Sequence, residues 1–231
     1  HVLEFMHNHH MLRLIKRPKW CVVKGGSKAY LRAFERQFLG KVRVGTPVRC
    51  IRRMRSSVSI LDDNDTQQFD AVFLCVHSDQ ALALLESPTN LETEILGGIR
   101  YESNHVVLHS DTNFMPKREQ AWSSWNAIVD HKNSSCHVTY WMNQLQNLVG
   151  HQFFVTLNPL SKPTSTWAER NYAHPIFDQK AKAAQKKKQA INGKNRTFYA
   201  GAYWGWGFHE DGIRSAIDSV NQLSNIRYAY A

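Results

Sequence analysis

Residues 196–216, RTFYAGAYWGWGFHEDGIRSA, place a short apolar run, a glycine-punctuated turn and a helical pattern in succession. Residues 197–200 are predicted as a strand, and the acidic pair Glu210–Asp211 precedes the helix. The apolar residues that recur on one helix face are Ile213, Ala216, Ile217 and Val220. A turn from a strand into a helix N-terminus presents free N–H groups at the positive end of the helix dipole. The chemistry expected here is the binding of a polar ligand group.

Besides Tyr203, the same turn carries three large aromatic residues, Trp204, Trp206 and Phe208. They could pack against a ligand or line its pocket, or they could only anchor the turn, and the sequence leaves both interpretations open. Glu210 likewise has two interpretations, as a residue beside a ligand or as a helix cap.

A second glycine-marked turn lies near the N-terminus. Residues 20–24 are predicted as a strand and are followed by Gly25 and Gly26. Ser27 suits the cap of a helix that ends near Gly40 and repeats its apolar residues at helical spacing. The glycine pair could let the backbone approach a ligand closely or could only form a tight turn.

The elements between these turns predict an α/β layer built around a sheet. Short strands are expected at residues 41–44, 48–53 and 58–61. Residues 69–76, FDAVFLCV, are nearly all apolar, as in a strand covered on both faces, and a helix follows over 80–85.

The middle of the chain has a different pattern. After a short helix at 92–98, four strand-like runs at 106–110, 123–129, 136–142 and 153–157 partly alternate polar and apolar residues, which predicts an antiparallel sheet. Its aromatic residues either wall a pocket or pack in the core: Trp122, Trp125, Tyr140 and Trp141. Prolines at 159, 163 and 175 predict a loop, and residues 178–190 a mostly solvated helix rich in lysine and alanine.

Composition describes a basic globular chain. The 231 residues are 42% hydrophobic and 11% aromatic, enough for a substantial core, and the net charge is +10. The charge would suit an acidic partner, but neither basic cluster has interleaved aromatic residues, so we expect no specific nucleic-acid partner. Solvated surfaces explain the charge most simply, and peripheral membrane contact stays open.

The cysteines and histidines do not predict a metal site. Four cysteines lie far apart with no CxxC pair, which favours reduced thiols and an intracellular rather than a secreted chain. Residues 1–10 contain four histidines without an accompanying set of carboxylates and are expected to form a helical or irregular surface segment. The sequence has no signal-peptide pattern and no run of transmembrane length.

Three stretches together resemble the flavin-containing amine oxidase superfamily, in particular its predicted NAD/FAD-binding oxidoreductase branch. They are WCVVKGGSKAYLRAF, the VRCIRR segment before FDAVFLCV, and above all FYAGAYWGWGFHEDGIRSA. The resemblance runs from about residue 5 to residue 223, and its C-terminal motif is the specific part.

The resemblance implies an α/β (α+β) flavoprotein: part of an FAD-binding dinucleotide-type domain with an inserted, largely antiparallel substrate-domain sheet. The implied division is residues 1–85 for part of the FAD-binding domain and the start of the substrate region, 86–190 for the substrate domain, and 191–231 for the C-terminal FAD-binding strand, turn and helix.

The family's cofactor contacts carry over to named positions. Gly201 and Ala202 would lie beside the ribityl-phosphate portion of FAD, and Val48 near its adenine side. The helix start would meet the pyrimidine edge through Glu210, Asp211, Gly212 and Ile213. Trp204, Trp206 and Phe208 would line the substrate pocket or pack near the flavin. No catalytic base is identified; Lys24 and His209 are candidates by position only.

Two departures from the family pattern matter. No GxGxxG follows a strand, although this motif holds the FAD diphosphate in such proteins, so the chain looks like the C-terminal portion of a longer protein. No cysteine falls in the C-terminal motif, so any FAD is expected to be non-covalent.

Three functional hypotheses follow. The first is an FAD-dependent oxidoreductase that takes hydride from a small or hydrophobic substrate. The second, motivated by the missing phosphate loop, is a non-catalytic domain that binds a partner or a lipid-like ligand without cofactor. The third is binding to an anionic surface, motivated by the charge. The sequence does not indicate an oligomeric state.

Overall fold

The computed structural model describes residues 21–130 and 135–229, with a few isolated positions before residue 21. The histidine-rich prediction for residues 1–10 therefore falls largely outside the described residues. The α+β fold class is confirmed: helices accompany antiparallel sheets and one parallel strand pair. Among the described helices, none has the length and apolarity needed to cross a bilayer.

The elements are numbered here in chain order. The helices are α1 (Ser27–Gln37), α2 (Ser78–Leu84), α3 (Asn90–Gly97), α4 (Met142–Gln146), α5 (Gln179–Lys186), α6 (Lys188–Ile191) and α7 (His209–Ala229). The strands are β1 (Val48–Arg53), β2 (Val58–Asp62), β3 (Thr66–Phe69), β4 (Val72–Leu74), β5 (Tyr101–His109), β6 (Trp125–Asp130), β7 (Ser135–Trp141), β8 (Phe154–Leu157), β9 (Thr166–Pro175) and β10 (Thr197–Tyr199).

The chain packs into two compact units. Unit 1 comprises His1–Gly40 and Ser103–His174, and unit 2 comprises Lys41–Glu102 and Pro175–Ala231. The predicted division at residues 85 and 190 separates cofactor binding from substrate binding. Packing does not show which segment binds what, so this division stays a prediction.

Unit 2 is organised around buried strands. β1, β2 and β3 form an antiparallel sheet, and β10 lies parallel to β4 with Phe198 opposite Phe73. Their side chains pack with those of α2, α3 and α5 in one apolar core, which includes Ile51, Ile95 and Tyr199. Parallel pairing needs a crossover connection, and here the whole segment between β4 and β10 provides it.

Unit 1 contains a five-stranded sheet in the order β6-β7-β8-β5-β9. The pairs β6–β7, β7–β8 and β5–β8 are antiparallel, as the alternation predicted. One face is closed: Phe154 is fully buried and Trp122 packs edge-on against both Phe154 and Trp141. Trp122 and Trp141 are therefore partly buried packing residues, whereas Trp125 is largely exposed.

Three local predictions were wrong. Residues 21–23 form no strand, and neither do residues 41–44, where Val42 and Val44 are exposed and lack a strand partner in the described part of unit 2. The loop expected between the prolines contains β9 instead. β9 lies at the edge of its sheet and is mostly exposed, so its sequence carries little of the apolar alternation that marks a half-buried strand.

Candidate functional site: a strand, turn and helix in unit 2

The candidate site begins where β10 ends. Every residue of β10 is buried, and the parallel pairing continues one residue further, where the Ala200 N–H donates to the Leu74 carbonyl at 3.1 Å. Gly201 follows in an extended conformation and is only half-buried. The pairing with β4 therefore fixes the point at which the chain leaves the core and reaches the surface.

A buried carboxylate holds β10 from below. Glu92 on α3 is 1% exposed and accepts a hydrogen bond from the Tyr199 hydroxyl at 2.8 Å. It also accepts from Arg53 of β1 and from the Thr89 N–H at 2.7 Å. Burial alone would raise the pKa of Glu92, but these hydrogen bonds and the charge of Arg53 outweigh it, so the pKa lies below its usual value. The Thr89 hydroxyl donates to it as well at 3.0 Å, so the buried carboxylate accepts four hydrogen bonds.

The turn over residues 201–208, called here the site turn, is fixed by two side chains. The amide of Gln185 on α5 donates to the Tyr203 carbonyl at 2.8 Å and to the Gly205 carbonyl at 2.7 Å. The Asp211 carboxylate accepts from the N–H groups of Trp206 and Phe208, each at 3.0 Å. These contacts hold the turn against the start of α7.

Asp211 rather than Glu210 caps α7. Asp211 is the third residue of the helix, and its side chain reaches back to the N–H of the residue before the helix, as in a capping box. The Glu210 side chain is 73% exposed and lies 3.6 Å from Arg214, one turn along. The capping interpretation of Glu210 was therefore wrong, because its neighbour occupies that position.

α7 packs on the strand through serines, not through its apolar face. Ile213, Ile217 and Val220 are all more than half exposed, whereas Ser215 and Ser219 are buried. The Gly201 N–H donates to the Ser215 hydroxyl at 2.9 Å, so the helix meets the backbone where the strand ends. Small side chains allow this close approach, and the predicted periodicity correctly marked a helix but not its packed face.

Two glycines in the site differ in what the fold demands of them. A Cβ at Gly205 would lie 2.3 Å from an Asp211 carboxylate oxygen, so the capping contact requires glycine there. A Cβ at Gly212 would lie 3.7 Å from the nearest atom, the Ala202 nitrogen, which is ordinary van der Waals contact. Gly212 also lies outside the positive-φ region and inside a helix, where glycine is unfavourable. The described fold gives no reason for glycine at this position.

The aromatic residues of the turn have unequal roles. Tyr203, which was not predicted as a site residue, is 4% exposed and belongs to the core. Trp204 packs beside it with ring centroids 4.9 Å apart, which supports the anchoring interpretation for this residue. The Nε1 of Trp204 is buried and has no hydrogen-bond partner among the described residues. Trp206 lies under the Lys182 ammonium, 5.0 Å from its ring centroid.

A buried lysine lies behind the turn, and the sequence did not predict it. Lys188 is 8% exposed, although residues 178–190 were expected to be mostly solvated. Its Nζ donates to the Ser215 carbonyl at 3.1 Å and lies 5.9 Å from the Trp204 ring centroid. Burial lowers the pKa of Lys188, and the charge of Asp218 opposes this effect.

The other predicted site residues lie elsewhere. Val48 begins β1 at the edge of the three-stranded sheet and is partly exposed. Lys24 and His209 are exposed. Gly25 and Gly26 both adopt positive φ in the turn before α1, and the Gly26 N–H donates to the Val23 carbonyl at 2.9 Å, so the tight-turn interpretation accounts for them.

The chain is thus an α+β protein in which one strand of a parallel pair, β10, leads through the site turn into helix α7. No family model matches the chain, and no curated protein matches it in sequence. Solved structures do match its fold, at low sequence identity.

A CLA-producing fatty acid isomerase from P. acnes has a TM-score of 0.60 and 15% identity, with 85% of this chain and 52% of that chain covered. A protein assigned as a protoporphyrinogen oxidase from Exiguobacterium has a TM-score of 0.60 and 10% identity, covering 93% of this chain and 54% of that one. Putrescine oxidase bound to putrescine has a TM-score of 0.55 and 11% identity, covering 87% and 53%.

These similarities confirm, at the level of the fold, the resemblance to amine oxidases and related oxidoreductases. The chain spans about half the length of each of these structures. Identities this low show the fold alone and transfer no substrate.

The site residues fit a flavin. The first N–H groups of α7 have no carbonyl partner within the helix, which suits the electron-rich edge of a reduced isoalloxazine. Gly212 keeps this first turn free of a side chain although the fold tolerates one. Gly201 and Ala202 are half-buried at the strand end, and the Gly201 N–H already donates to the Ser215 hydroxyl.

Proposed function

We propose that the chain is the C-terminal part of the cofactor site of a non-covalent FAD-dependent oxidoreductase of the amine oxidase type. The fold supports the oxidoreductase class. The observation that carries the cofactor assignment is Gly212, a helix residue that lacks a side chain although its own fold has space for one. A ligand in close contact with the first turn of α7 explains that absence.

Each residue of the site has a task in this proposal. The start of α7 is proposed to lie at the flavin pyrimidine edge, with Glu210, Asp211, Gly212 and Ile213. The Gly212 N–H donates to the Phe208 carbonyl at 3.2 Å, so the helix N–H groups left for a ligand are those that precede Gly212. Gly201 and Ala202 contact the ribityl-phosphate portion through their backbone, and Val48 contacts the adenine side. Asp211 acts indirectly as well, because its carboxylate fixes the turn that carries these groups.

When bound, FAD supplies the redox chemistry by accepting a hydride from a substrate C–H bond. The protein then has to bind the cofactor, orient the substrate and exclude water. Trp206 and Phe208 are proposed to line the substrate pocket, together with the accessible part of the half-buried Trp204 side chain. No cysteine lies in residues 196–216, so the cofactor is held without a covalent bond.

The substrate is proposed to be hydrophobic. The matching folds include one enzyme named for a fatty acid and one bound to a diamine, so the fold alone does not choose between them. The apolar and aromatic character of the middle block favours the hydrophobic class.

Flavin content tests the proposal. The full-length gene product should purify yellow, with flavin absorbance that is released by denaturation because the bond is not covalent. A colourless full-length protein that takes up no added FAD would refute the proposal.

A second candidate is a domain that binds a partner or lipid-like ligand without cofactor. The observation that favours it is the lack of a GxGxxG motif anywhere in the 231 residues. Tight binding of FAD to this chain in a titration would exclude it.

A further inference from the structure

Unit 1 contains an apolar groove that the flavin site does not use. The groove has a volume of about 600 Å³, which is within the usual range for small-molecule sites. It lies on one face of the five-stranded sheet and is lined by Val106, Leu108, Phe153, Val155, Ala168 and Tyr172, with Arg170 among them. All of these residues belong to unit 1.

Strand alternation explains why this face is open. Val106 and Leu108 on β5 and Val155 on β8 are half-buried, whereas their immediate neighbours Val107 and Thr156, which point to the opposite face, are buried. One face of the sheet is therefore closed by the chain, and the other presents aliphatic side chains to a groove.

The floor of the groove offers a ligand few hydrogen bonds. β5 is paired with β8 on one side and β9 on the other, and β8 lies between β7 and β5. Their backbone donors and acceptors are used within the sheet, and the side chains above them are apolar. Such a surface binds a hydrocarbon chain better than a peptide, whose polar groups would stay unsatisfied.

Arg170 gives the groove a single charge. It lies on β9 between Ala168 and Tyr172, two residues from each, so alternation places all three on the groove face. Its Nη1 donates to the Glu169 carbonyl at 2.7 Å, and no ion pair joins it to a carboxylate in the part of unit 1 that the structure describes. A guanidinium matches a carboxylate in shape and charge and repels an amine.

We propose that the groove binds a long-chain fatty acid, with the hydrocarbon tail along β5 and β8 and the carboxylate on Arg170. Binding itself does not depend on the flavin assignment.

Calorimetric titration of the purified protein with monomeric fatty acids tests the proposal. From octanoate to decanoate to dodecanoate, each pair of added methylenes should tighten Kd by about 15-fold until the tail outgrows the groove. Dodecylamine should bind more weakly than dodecanoate, because Arg170 repels it. These comparisons use the unaltered protein, so they do not depend on how a variant folds.

Variants then locate the site. Arg170→Gln should weaken dodecanoate by up to about fivefold, since an exposed ion pair contributes little more, and should leave dodecanol unchanged. The matched control Arg118→Gln removes another exposed arginine of unit 1, outside the groove, and should change neither ligand. Ala168→Phe should weaken both ligands because it fills the groove.

Three results would overturn the proposal: no binding of dodecanoate, equal affinity for dodecanoate and dodecylamine, or affinity that does not depend on chain length. Binding seen only with anionic vesicles, and not with monomeric acid, would point to a membrane surface and would also overturn it. Because no measurement here involves FAD, a failure of the groove proposal leaves the cofactor proposal standing, and the reverse also holds.

Discussion

The buried carboxylate beneath β10 allows a quantitative test of how the site is held. Glu92→Gln keeps the size of the side chain but removes its charge, and it leaves Arg53, whose side chain is 8% exposed, without its ion-pair partner. Breaking a buried pair by removing one member costs about 3–5 kcal/mol. The free energy of unfolding of a domain is only about 5–15 kcal/mol, so this loss would be a large part of the total.

The chain supplies a matched control on the same strand. Arg52, next to Arg53, pairs with Glu86, but the two side chains are 51% and 40% exposed. Glu86→Gln should therefore cost less than about 1 kcal/mol. Tyr199→Phe, which removes one hydrogen bond to the charged Glu92, should fall between them at about 1.5–3 kcal/mol.

Urea unfolding at pH 7, followed by far-UV circular dichroism, measures all three variants. The same experiment at lower pH tests the charge. Because the folded pKa of Glu92 lies below its unfolded value near 4.5, its contribution is complete above that value and is lost as the pH falls through the folded pKa. The Gln variant should lack this dependence. Equal losses for Glu92→Gln and Glu86→Gln would refute the reasoning.

Two further predictions concern titration and capping. Burial lowers the pKa of His109 and of His137, so the unfolded chain binds protons near pH 6.5 that the folded chain does not, and the free energy of unfolding should fall below about pH 6.5 by up to about 1.4 kcal/mol per pH unit for each histidine. Replacing both histidines by Gln should flatten the dependence of the urea midpoint on pH over this range. An unchanged slope in the double variant would contradict the assignment. Asp211→Ala should lower the free energy of unfolding by about 1–2 kcal/mol because two turn N–H groups lose their acceptor, whereas Glu210→Ala should change it little, and equal effects in thermal unfolding would argue against Asp211 as the cap.

The sequence predicted the buried strands better than the exposed segments. β1, β2 and β10 were found because their apolar residues are buried against one core, and β5 to β8 because alternation follows from one closed face. Residues 41–44 have the same local preference for a strand, but they have no described strand to pair with, so the strand predicted from that preference does not form. β9 has a partner but almost no buried side chains, so no pattern marked it.

Within the site, the order of strand, turn and helix was easier to predict than the packing. Glycines and acidic residues correctly located the turn and the helix start. Neither the burial of Lys188 nor the packing of α7 through Ser215 and Ser219 was predicted, because both depend on which residues meet across α6, α7 and β10. Such long-range contacts leave no periodic signal in the sequence.

The central claim is that the start of α7 contacts a flavin, and Gly212→Ala tests it most directly. In the helix an alanine fits without a clash, so Gly212→Ala should leave the free energy of unfolding of the cofactor-free protein unchanged or raise it by up to about 1 kcal/mol. The control Gly205→Ala clashes with Asp211 and should lower the free energy of unfolding. The measurement is the FAD content of purified full-length protein beside its unfolding midpoint. Gly212→Ala is expected to lose FAD while its fold stays intact. Full retention of FAD by that variant would contradict the central claim.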